Sequence, residues 1–360
     1  MRVDSRLPGM RVQSGLSLVE LMIALLLGTL LSIGLVQVFT SNSQSFRTNE
    51  ASARAQESGR IAMDILARAL RNSGFFGCFP VQGVTNNLDE TDPEFDRELH
   101  GFEVLGVSAI DDASYSERPS GSIAGTDFLR VTAVRRPGET IRLAADVSDT
   151  TDIRLTDAGT LQAGDFLYLS NCERGDIFQI SSLAAVGSEV KVTADNANGS
   201  SGVPGNDFSA NAPAACSYPG PCLSAAYDEG TEVYQPYSEI YYIGESADGG
   251  RSLFLRQSDG SSVELVAGVE DMALRFGEGT TTTGVQNWRE ADSVTDWDDV
   301  LAVEVSLLVA SPNDNVVDSP QSYCFPGWED CVADSSKLTE AADRRLYRVY
   351  TFTSAVRNRF

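Results

Sequence analysis

The carboxylate of Glu20 is the ionisable group whose place in the sequence most needs a chemical explanation. Residues 16–36 read LSLVELMIALLLGTLLSIGLV, and Glu20 is the one charged residue among them. An ionised side chain in hydrocarbon is costly unless water or an opposite charge reaches it. Cleavage after Gly15 would free the amine of Leu16, a cation that could pair with Glu20 of a neighbouring chain. The alternative is that Glu20 lies near the membrane interface and is hydrated there.

Catalytic chemistry has few candidate residues in this chain. It has one histidine, His100, and two lysines, and neither Lys191 nor Lys337 lies in a phosphate-binding G-x-x-x-x-G-K-[ST] loop. No G-x-S-x-G, H-E-x-x-H or zinc-type cysteine spacing occurs. We expect His100 to be a surface residue and the adjacent acids Asp298 and Asp299 to be solvated. The sequence therefore predicts that the chain is not an enzyme.

Two acidic stretches offer oxygen ligands of the kind that calcium binds. They are DETDPEFDRE at 89–98 and EADSVTDWDD at 290–299, and neither follows the EF-hand pattern. A calcium site in these stretches is one interpretation, and a plain solvated acidic face is the other. Apart from calcium, the sequence predicts no cofactor and no metal.

The overall charge excludes one class of partner. Asp and Glu number 51 against 27 Lys and Arg, which gives a formal net charge of −24. Affinity for nucleic acid comes largely from Lys and Arg neutralising phosphates, so we expect no nucleic-acid partner. The hydrophobic content of 42% is ordinary for a globular protein and is sufficient for a buried core.

The N-terminal residues predict a leader followed by a membrane-spanning helix. Residues 1–15 carry three arginines against one aspartate, which favours a cytoplasmic location. As a helix, residues 16–36 would rise about 31 Å, enough to cross the hydrocarbon core of a bilayer. The predicted order is thus a cleaved leader at 1–15, a transmembrane segment at 16–36, an amphipathic helical half at 37–73, and a β-rich periplasmic domain at 74–360 that divides near 195–224.

The pattern after residue 36 predicts an α+β fold in which one long helix packs on antiparallel sheet. No proline occurs between Pro8 and Pro80, so a single helix of about 55 residues fits. Its second half has an apolar arc opposite charged residues, which indicates that this half packs on a core. After residue 75, short β-rich stretches alternate with turn residues. We predict strands at 128–134, 165–170, 177–182, 189–193, 239–243, 252–256, 269–276, 300–309 and 346–356, with long loops at 277–299 and 311–340.

The cysteines are even in number and predict disulfides formed in an oxidising compartment. They are Cys78, Cys172, Cys216, Cys222, Cys324 and Cys331. The two pairs closest in sequence, 216 with 222 and 324 with 331, would close short loops, and Cys78 would then pair with Cys172. Connectivity stays open at this point, and the alternative is that some of the thiols are free and buried.

The stretch QSGLSLVELMIALL at 13–26 resembles the type III signal of type IV prepilins and type II secretion pseudopilins. In that family a prepilin peptidase cuts after the glycine and methylates the new N-terminus. The glutamate fifth in the mature chain then guides polymerisation. The resemblance implies cleavage between Gly15 and Leu16, N-methylation of Leu16 and an assembly contact made by Glu20.

Four further stretches resemble the PilW family of minor pilins. They are FFGCF at 75–79, LSNC at 169–172 followed by IFQI, LVAGVEDMALRFG at 265–277, and the ending YRVYTFTSAVRNRF. The resemblance implies a pilin-like, non-catalytic subunit that primes assembly of the type IV pilus and sits at its tip, in twitching motility and adhesion. The implied partners are other minor pilins, the major pilin, a large tip adhesin, prepilin peptidase and inner-membrane lipid. The implied location is the bacterial inner membrane, with one span and a periplasmic domain, and then the pilus at the cell surface.

Two other interpretations stay open. Pseudopilin J of type II secretion shares the general layout and would be the tip subunit of a pseudopilus that exports folded proteins. An interpretation of another class is a membrane-anchored hydrolase or carbohydrate-binding ectodomain, for which the sequence offers no recognisable site.

Overall fold

The computed structural model describes most of the chain after the predicted leader. The described residues are 17–77, 83–102, 107–110, 119, 121–139, 141–196, 199, 202–209 and 222–356. The predicted cleavage site at Gly15 and Leu16, together with Cys78 and Cys216, lies outside them. Much of the predicted division near 195–224 also lies outside them, so that division stays a prediction.

One unbroken helix, α1, runs from Leu18 to Asn72 over 55 residues and is about 80 Å long. Ser17 caps its N-terminus, and at its other end the N–H of Ser73 donates to the carbonyl of Ala69 at 3.0 Å. Gly74 follows with a φ of 73°, a conformation that suits glycine at the end of a helix. The single long helix expected from the sequence is confirmed.

The rest of the chain is mostly β-structure. A short helix, α2, spans Arg97–His100. The first strands are β1 (Val84–Asn86), β2 (Val107–Ile110), β3 (Phe128–Arg135), β4 (Val147–Asp149), β5 (Ile153–Leu155), β6 (Phe166–Ser170), β7 (Gly175–Gln179), β8 (Ser182–Val186), β9 (Glu189–Thr193) and β10 (Cys222–Tyr227). The later strands are β11 (Val233–Glu245), β12 (Arg251–Arg256), β13 (Ser262–Ala267), β14 (Val269–Thr280), β15 (Gly284–Arg289), β16 (Val300–Ala310), β17 (Ser322–Cys324), β18 (Leu338–Glu340) and β19 (Tyr347–Ala355). Three single-turn 3₁₀ helices lie at Ala291–Ser293, Trp297–Asp299 and Ser335–Lys337.

These strands form several sheets. An eight-stranded sheet follows the order β1-β7-β6-β11-β12-β13, with β3 beside β11 and β2 beside β3. A four-stranded antiparallel sheet has the order β15-β14-β16-β19. Smaller sheets pair β10 with β4, β17 with β18, and β5, β9 and β8 with one another. The predicted α+β architecture, a long helix on antiparallel strands arranged in more than one sheet, is confirmed.

The second half of α1 packs against both large sheets. Ala62 and Leu66 of the helix belong to the same buried cluster as Leu253 of the eight-stranded sheet and Val305 and Leu307 of the four-stranded sheet. The small side chains of α1, including Ala55 and Ala62, let the helix approach the strands closely. A second buried cluster lies among β4 to β10 and the start of β11, and it does not include α1. The helix therefore holds together the part of the domain that contains the C-terminal strands.

Two stretches that the sequence suggested as long loops contain strands. β14 continues to Thr280 and turns into β15 within the predicted loop 277–299. The predicted loop 311–340 contains β17 and β18, which pair with each other. The predictions were wrong at these strands because glycine, threonine, serine and asparagine, which usually mark loops, here occupy short or exposed strands that need no apolar alternation.

Candidate assembly surface

The first half of α1 projects from the domain with its apolar side chains uncovered. Every residue from Ser17 to Ser41 is exposed, and the large apolar side chains from Leu18 to Phe39 are each more than half exposed. The most apolar 18-residue window of the helix has a mean hydropathy of 2.3 and no part of it is buried. Among the described residues, α1 is the one helix long and apolar enough to cross a membrane. Because this half is not covered by its own domain, it is not the core helix of a soluble protein.

The hydroxyl groups within the exposed half are satisfied by the helix itself. The Oγ1 of Thr29 donates to the carbonyl of Leu26 at 2.9 Å, and the Oγ of Ser32 donates to that of Gly28 at 2.8 Å. Polar groups in hydrocarbon need such internal partners because no water is available there. These hydroxyls are therefore compatible with a position inside a bilayer or among other apolar helices.

Glu20 forms a capping box with Ser17 at the start of α1. The Oγ of Ser17 accepts the N–H of Glu20 at 3.1 Å, and a carboxylate oxygen of Glu20 accepts the N–H of Ser17 at 3.4 Å. These two bonds satisfy backbone donors that no preceding turn can pair. The sequence interpretation missed this role, although S-x-x-E directly before an apolar run is its signature. Glu20 thus has a local structural role besides the predicted assembly contact.

Contact between α1 and the domain begins at Gln44. Its Nε2 donates to the carbonyl of Val316 at 2.8 Å, and the Oγ1 of Thr48, one turn later, donates to the same carbonyl at 3.1 Å. Val316 is buried, and its N–H in turn donates to the carbonyl of Arg344 at 3.0 Å. This junction fixes the direction in which the uncovered half of α1 leaves the domain.

Further along, α1 lies directly on β19. A Cβ at Gly59 would be 2.4 Å from Cε2 of Tyr350, so a larger residue at this position would have to displace the tyrosine ring. Tyr350 also donates its hydroxyl to the carbonyl of Ala55 at 3.4 Å, and Arg348 donates to the hydroxyl of Ser52 at 2.9 Å. These contacts connect the helix to the C-terminal strand of the chain.

A disulfide-closed loop covers the face of the four-stranded sheet that lies away from α1. Cys324 and Cys331 are bonded, with Cα atoms 6.0 Å apart, as the sequence predicted. Inside the loop, the N–H of Gly327 donates to the hydroxyl of Ser306 at 2.8 Å, and the indole of Trp328 lies 4.8 Å from the guanidinium of Arg275. We call residues 324–331 the strap.

Two other described cysteines also form disulfides. Cys172 and Cys222 are each disulfide-bonded, and none of the cysteines that the structure describes is free. Pairing of Cys78 with Cys172 and of Cys216 with Cys222 stays a prediction.

Buried acids near the two acidic stretches form hydrogen bonds with donors of their own chain. One is Asp92, in the stretch 89–98, and the other is Glu278 of β14, beside the stretch 290–299. Hydrogen bonds from the N–H groups of Glu94 and Gly199 lower the pKa of the buried Asp92. Beside the stretch 290–299, burial alone would raise the pKa of Glu278, but hydrogen bonds from Thr295 and Arg289 outweigh it and lower that pKa. Within the described ranges, no group of three or more His, Cys, Asp and Glu side chains could hold a metal ion. The calcium site in the two acidic stretches therefore stays a prediction, for which the described residues form no set of metal ligands.

The expectation that His100 is a surface residue was wrong. It is 1% exposed, at the end of α2, with the rings of Phe95 and Phe166 against it. Its Nδ1 accepts the N–H of Asp96 at 3.0 Å, and its Nε2 lies 3.1 Å from the carbonyl of Ser258, to which it donates. Burial lowers the pKa of His100. His100 is therefore a neutral core residue, and both of its ring nitrogens are hydrogen-bonded. The polar residues next to it in the sequence did not indicate this burial.

Among the comparisons with known proteins, the match to a family model lies in the C-terminal third of the chain. A family model described as type IV pilus-assembly protein W, PilW, matches residues 240–358. Among solved structures, a type IV-like pilin from Thermus thermophilus has 12% sequence identity and a TM-score of 0.32, over 85% of this chain and 96% of that pilin. A search of curated proteins found no match. The matched residues run from within β11 to the end of β19, so they include the four-stranded sheet, the strap and the strand that contacts α1. The predicted resemblance to the PilW family is confirmed over these residues.

Proposed function

We propose that this chain is a PilW-type minor pilin of the type IV pilus, a structural subunit that catalyses no reaction. The observation that carries the proposal is the continuity of α1, whose uncovered apolar half passes without a break into a half packed on the sheet matched by the PilW model. An apolar helix of this length is unstable in water, so a bilayer or other apolar helices must cover it.

In this proposal, prepilin peptidase cleaves the chain between Gly15 and Leu16 and methylates Leu16. The mature helix then spans the inner membrane, with the domain in the periplasm. The first 26 residues of α1, up to the junction at Gln44, rise about 39 Å, which is hydrocarbon core plus part of one headgroup layer. The domain would therefore begin close to the membrane surface.

The subunit then moves from the membrane into a complex with other minor pilins, a large tip adhesin and the major pilin. There it primes pilus assembly and stays at the tip, with roles in twitching motility and adhesion. Neighbouring helices replace lipid around the apolar half of α1, and the carboxylate of Glu20 meets the terminal amine of another subunit. An ion pair of this kind gains strength in surroundings of low dielectric constant.

Intact-mass measurement of the chain extracted from its native membrane tests the processing step. We expect a mature protein that begins at methylated Leu16 in cells with active prepilin peptidase, and the full-length chain in cells without it. Retention of residues 1–15 in peptidase-positive cells would contradict the proposal. Co-purification with the minor pilins and adhesin encoded at the same locus then tests the assembly step.

Type II secretion remains the second candidate system, and the PilW match favours the pilus over it. Deletion of the gene distinguishes the two. We expect loss of surface pili and twitching with normal export of secreted enzymes. The opposite result, intact twitching with failed export, would assign the chain to the pseudopilus.

A further inference from the structure

β19 is the outermost strand of the four-stranded sheet, and one of its edges has no strand beside it in the part of the chain that the structure describes. Two hydrogen bonds show which residues face the paired side. Ser311 donates to the carbonyl of Leu346 at 2.8 Å, and Val356 donates to the carbonyl of Leu301 at 2.9 Å. Backbone groups alternate in direction along an antiparallel strand. Even-numbered residues of β19 therefore bond to β16, and odd-numbered residues direct their N–H and C=O groups to the open edge.

A side chain already bonds the outward-facing backbone groups of Tyr347, the first odd-numbered residue of β19. The amide of Gln321 donates to the carbonyl of Tyr347 at 3.1 Å and accepts its N–H at 3.0 Å, as a neighbouring strand would. The following residues have no such partner among the described ones. The residues whose backbone groups face the open edge are Val349, Thr351, Thr353 and Ala355. Except for the half-buried valine, they are exposed.

This edge lacks the features that normally prevent strands from pairing with other chains. Proteins protect such edges with charges, proline or bulges. The edge strand β13 has the charged Glu264 and a bulge opposite Leu253 and Phe254, and β15 pairs through a bulge next to Glu278. Residues 349–356 read VYTFTSAV, with no charge, proline or glycine, and the pairing of β19 with β16 has no register shift.

The surroundings of the edge limit what could bind there. On one face lies α1, in contact with Tyr350, and on the other lies the strap, with Gly327 next to Thr351. At one end is the exposed Arg348, whose guanidinium reaches Ser52. A flat segment fits between helix and strap more readily than a helix does, and a carboxylate is the group that Arg348 would bind best.

We propose that the open edge of β19 is a strand-addition site for an extended segment of another protein. The segment is uncharged over about six residues and carries a carboxylate at the end next to Arg348. Main-chain hydrogen bonds to the odd-numbered residues hold it, and alternate side chains face α1 and the strap. A second copy of this chain is a poorer partner because two molecules of net charge −24 repel each other. The membrane and filament contacts proposed for α1 do not use this edge.

The test measures amide hydrogen exchange in the full chain, held in detergent micelles, with a synthetic peptide as the probe. The peptide is acetyl-DTVTVTVD-amide, with acids at both ends so that either strand direction is allowed. We expect the amides of Thr351, Thr353 and Ala355 to exchange at least tenfold more slowly in its presence. The amides of Tyr350 and Phe352, already bonded to β16, serve as internal references. A peptide with lysines in place of both acids should slow exchange several-fold less.

Variants at Thr353 show whether the backbone edge is responsible. The N–H of Thr353 has no partner within the described part of the chain, so Thr353→Pro removes only an outward donor, and proline is tolerated at such edges. We expect Thr353→Pro and Thr353→Lys to abolish the slowing and Thr353→Val to retain it. No slowing by the acidic peptide at millimolar concentration, or equal slowing in Thr353→Pro, would overturn the proposal. So would slowing that grows with protein concentration without peptide, because it would identify a second copy as the partner.

Discussion

Gly59 of α1 and Tyr350 of β19 meet so closely that a single added carbon would lie 2.4 Å from the tyrosine ring. The two residues are 291 positions apart in the sequence, and their contact sets the distance between the helix and the C-terminal sheet. A pair that joins the chain's N-terminal helix to its last strand couples the anchor to the part of the domain that matches the PilW model.

Gly59→Ala should separate this pair and destabilise the domain. The new methyl group must displace the Tyr350 ring, and overpacking of this kind costs about 1–3 kcal/mol, more than the gain of about 0.5–1 kcal/mol from alanine in a helix. Urea unfolding of the full chain in detergent, followed by tryptophan fluorescence, measures the free energy of unfolding. Gly28→Ala is the matched control, because nothing lies within 4 Å of that position, and it should show only the helix gain of about 0.5–1 kcal/mol without a loss of stability. A Gly59→Ala variant as stable as wild type would show that Tyr350 moves freely.

Ser17→Ala and Glu20→Ala should separate the capping role of Glu20 from its predicted assembly role. Ser17→Ala removes the hydroxyl that caps α1, which costs about 1 kcal/mol of helix stability, but it keeps the charge. Glu20→Ala removes both the cap and the carboxylate. We expect pilus incorporation close to wild type for Ser17→Ala and reduced at least tenfold for Glu20→Ala, measured by immunoblot of sheared pili against the membrane fraction. Equal loss in both variants would mean that helix capping alone explains the need for Glu20.

His100 should make the domain less stable as the pH falls below about 6.5, the ordinary histidine value. Burial lowers the pKa of His100 in the folded state, so on acidification the unfolded chain takes up a proton before the folded chain does. The free energy of unfolding then decreases with decreasing pH, by at most about 1.4 kcal/mol per pH unit for one proton, until the pH reaches the folded pKa. The groups that face the ring, Asp96 N–H and the carbonyl of Ser258, cannot both be satisfied by a doubly protonated ring.

Comparison of wild type with His100→Gln isolates this contribution, since other titrating groups are common to both proteins. We expect the difference in free energy of unfolding between them to shrink from pH 8 to pH 5. A difference that stays constant over this range would show that His100 titrates alike in the folded and unfolded chains.

The disulfide of the strap should contribute about 2 kcal/mol to stability, the loop-entropy value for so short a loop. Replacement of Cys324 and Cys331 by serine should lower the free energy of unfolding by that amount and loosen the packing of Trp328 on Arg275. Near-ultraviolet circular dichroism with chemical denaturation measures both effects. As the control, Trp328→Phe should reduce the tryptophan signal while keeping most of the stability. Full stability without the disulfide would mean that the Gly327 hydrogen bond suffices to hold the strap.

Structural features that depend on residues close together in the sequence were predicted well. The long apolar run without proline is sufficient to predict α1, because helix formation and its stop at Gly74 depend on local residues. The pairing of Cys324 with Cys331 follows from their closeness in sequence. The PilW resemblance was visible in motifs such as the one at 265–277, which form strands whose alternation is regular.

Features that depend on distant contacts were not predicted. The burial of His100 arises from Phe166 and Ser258, which are far from it in sequence. The strands within 277–299 and 311–340 form because exposed edges accept polar residues, a context that a local pattern does not reveal. The capping box of Ser17 and Glu20 is the exception, because S-x-x-E before an apolar run depends only on neighbouring residues.

The exposed half of α1 is held by the domain at one end only, at the junction of Gln44 and Thr48, so it can act as a lever. Beyond the junction, the helix is an unbraced rod of about 39 Å, and a change of about 10° in its exit angle would displace the far end by about 7 Å, more than one helical pitch. The hydrogen bonds of Gln44 and Thr48 to the carbonyl oxygen of Val316 lie where this rod begins and therefore help to set its exit angle.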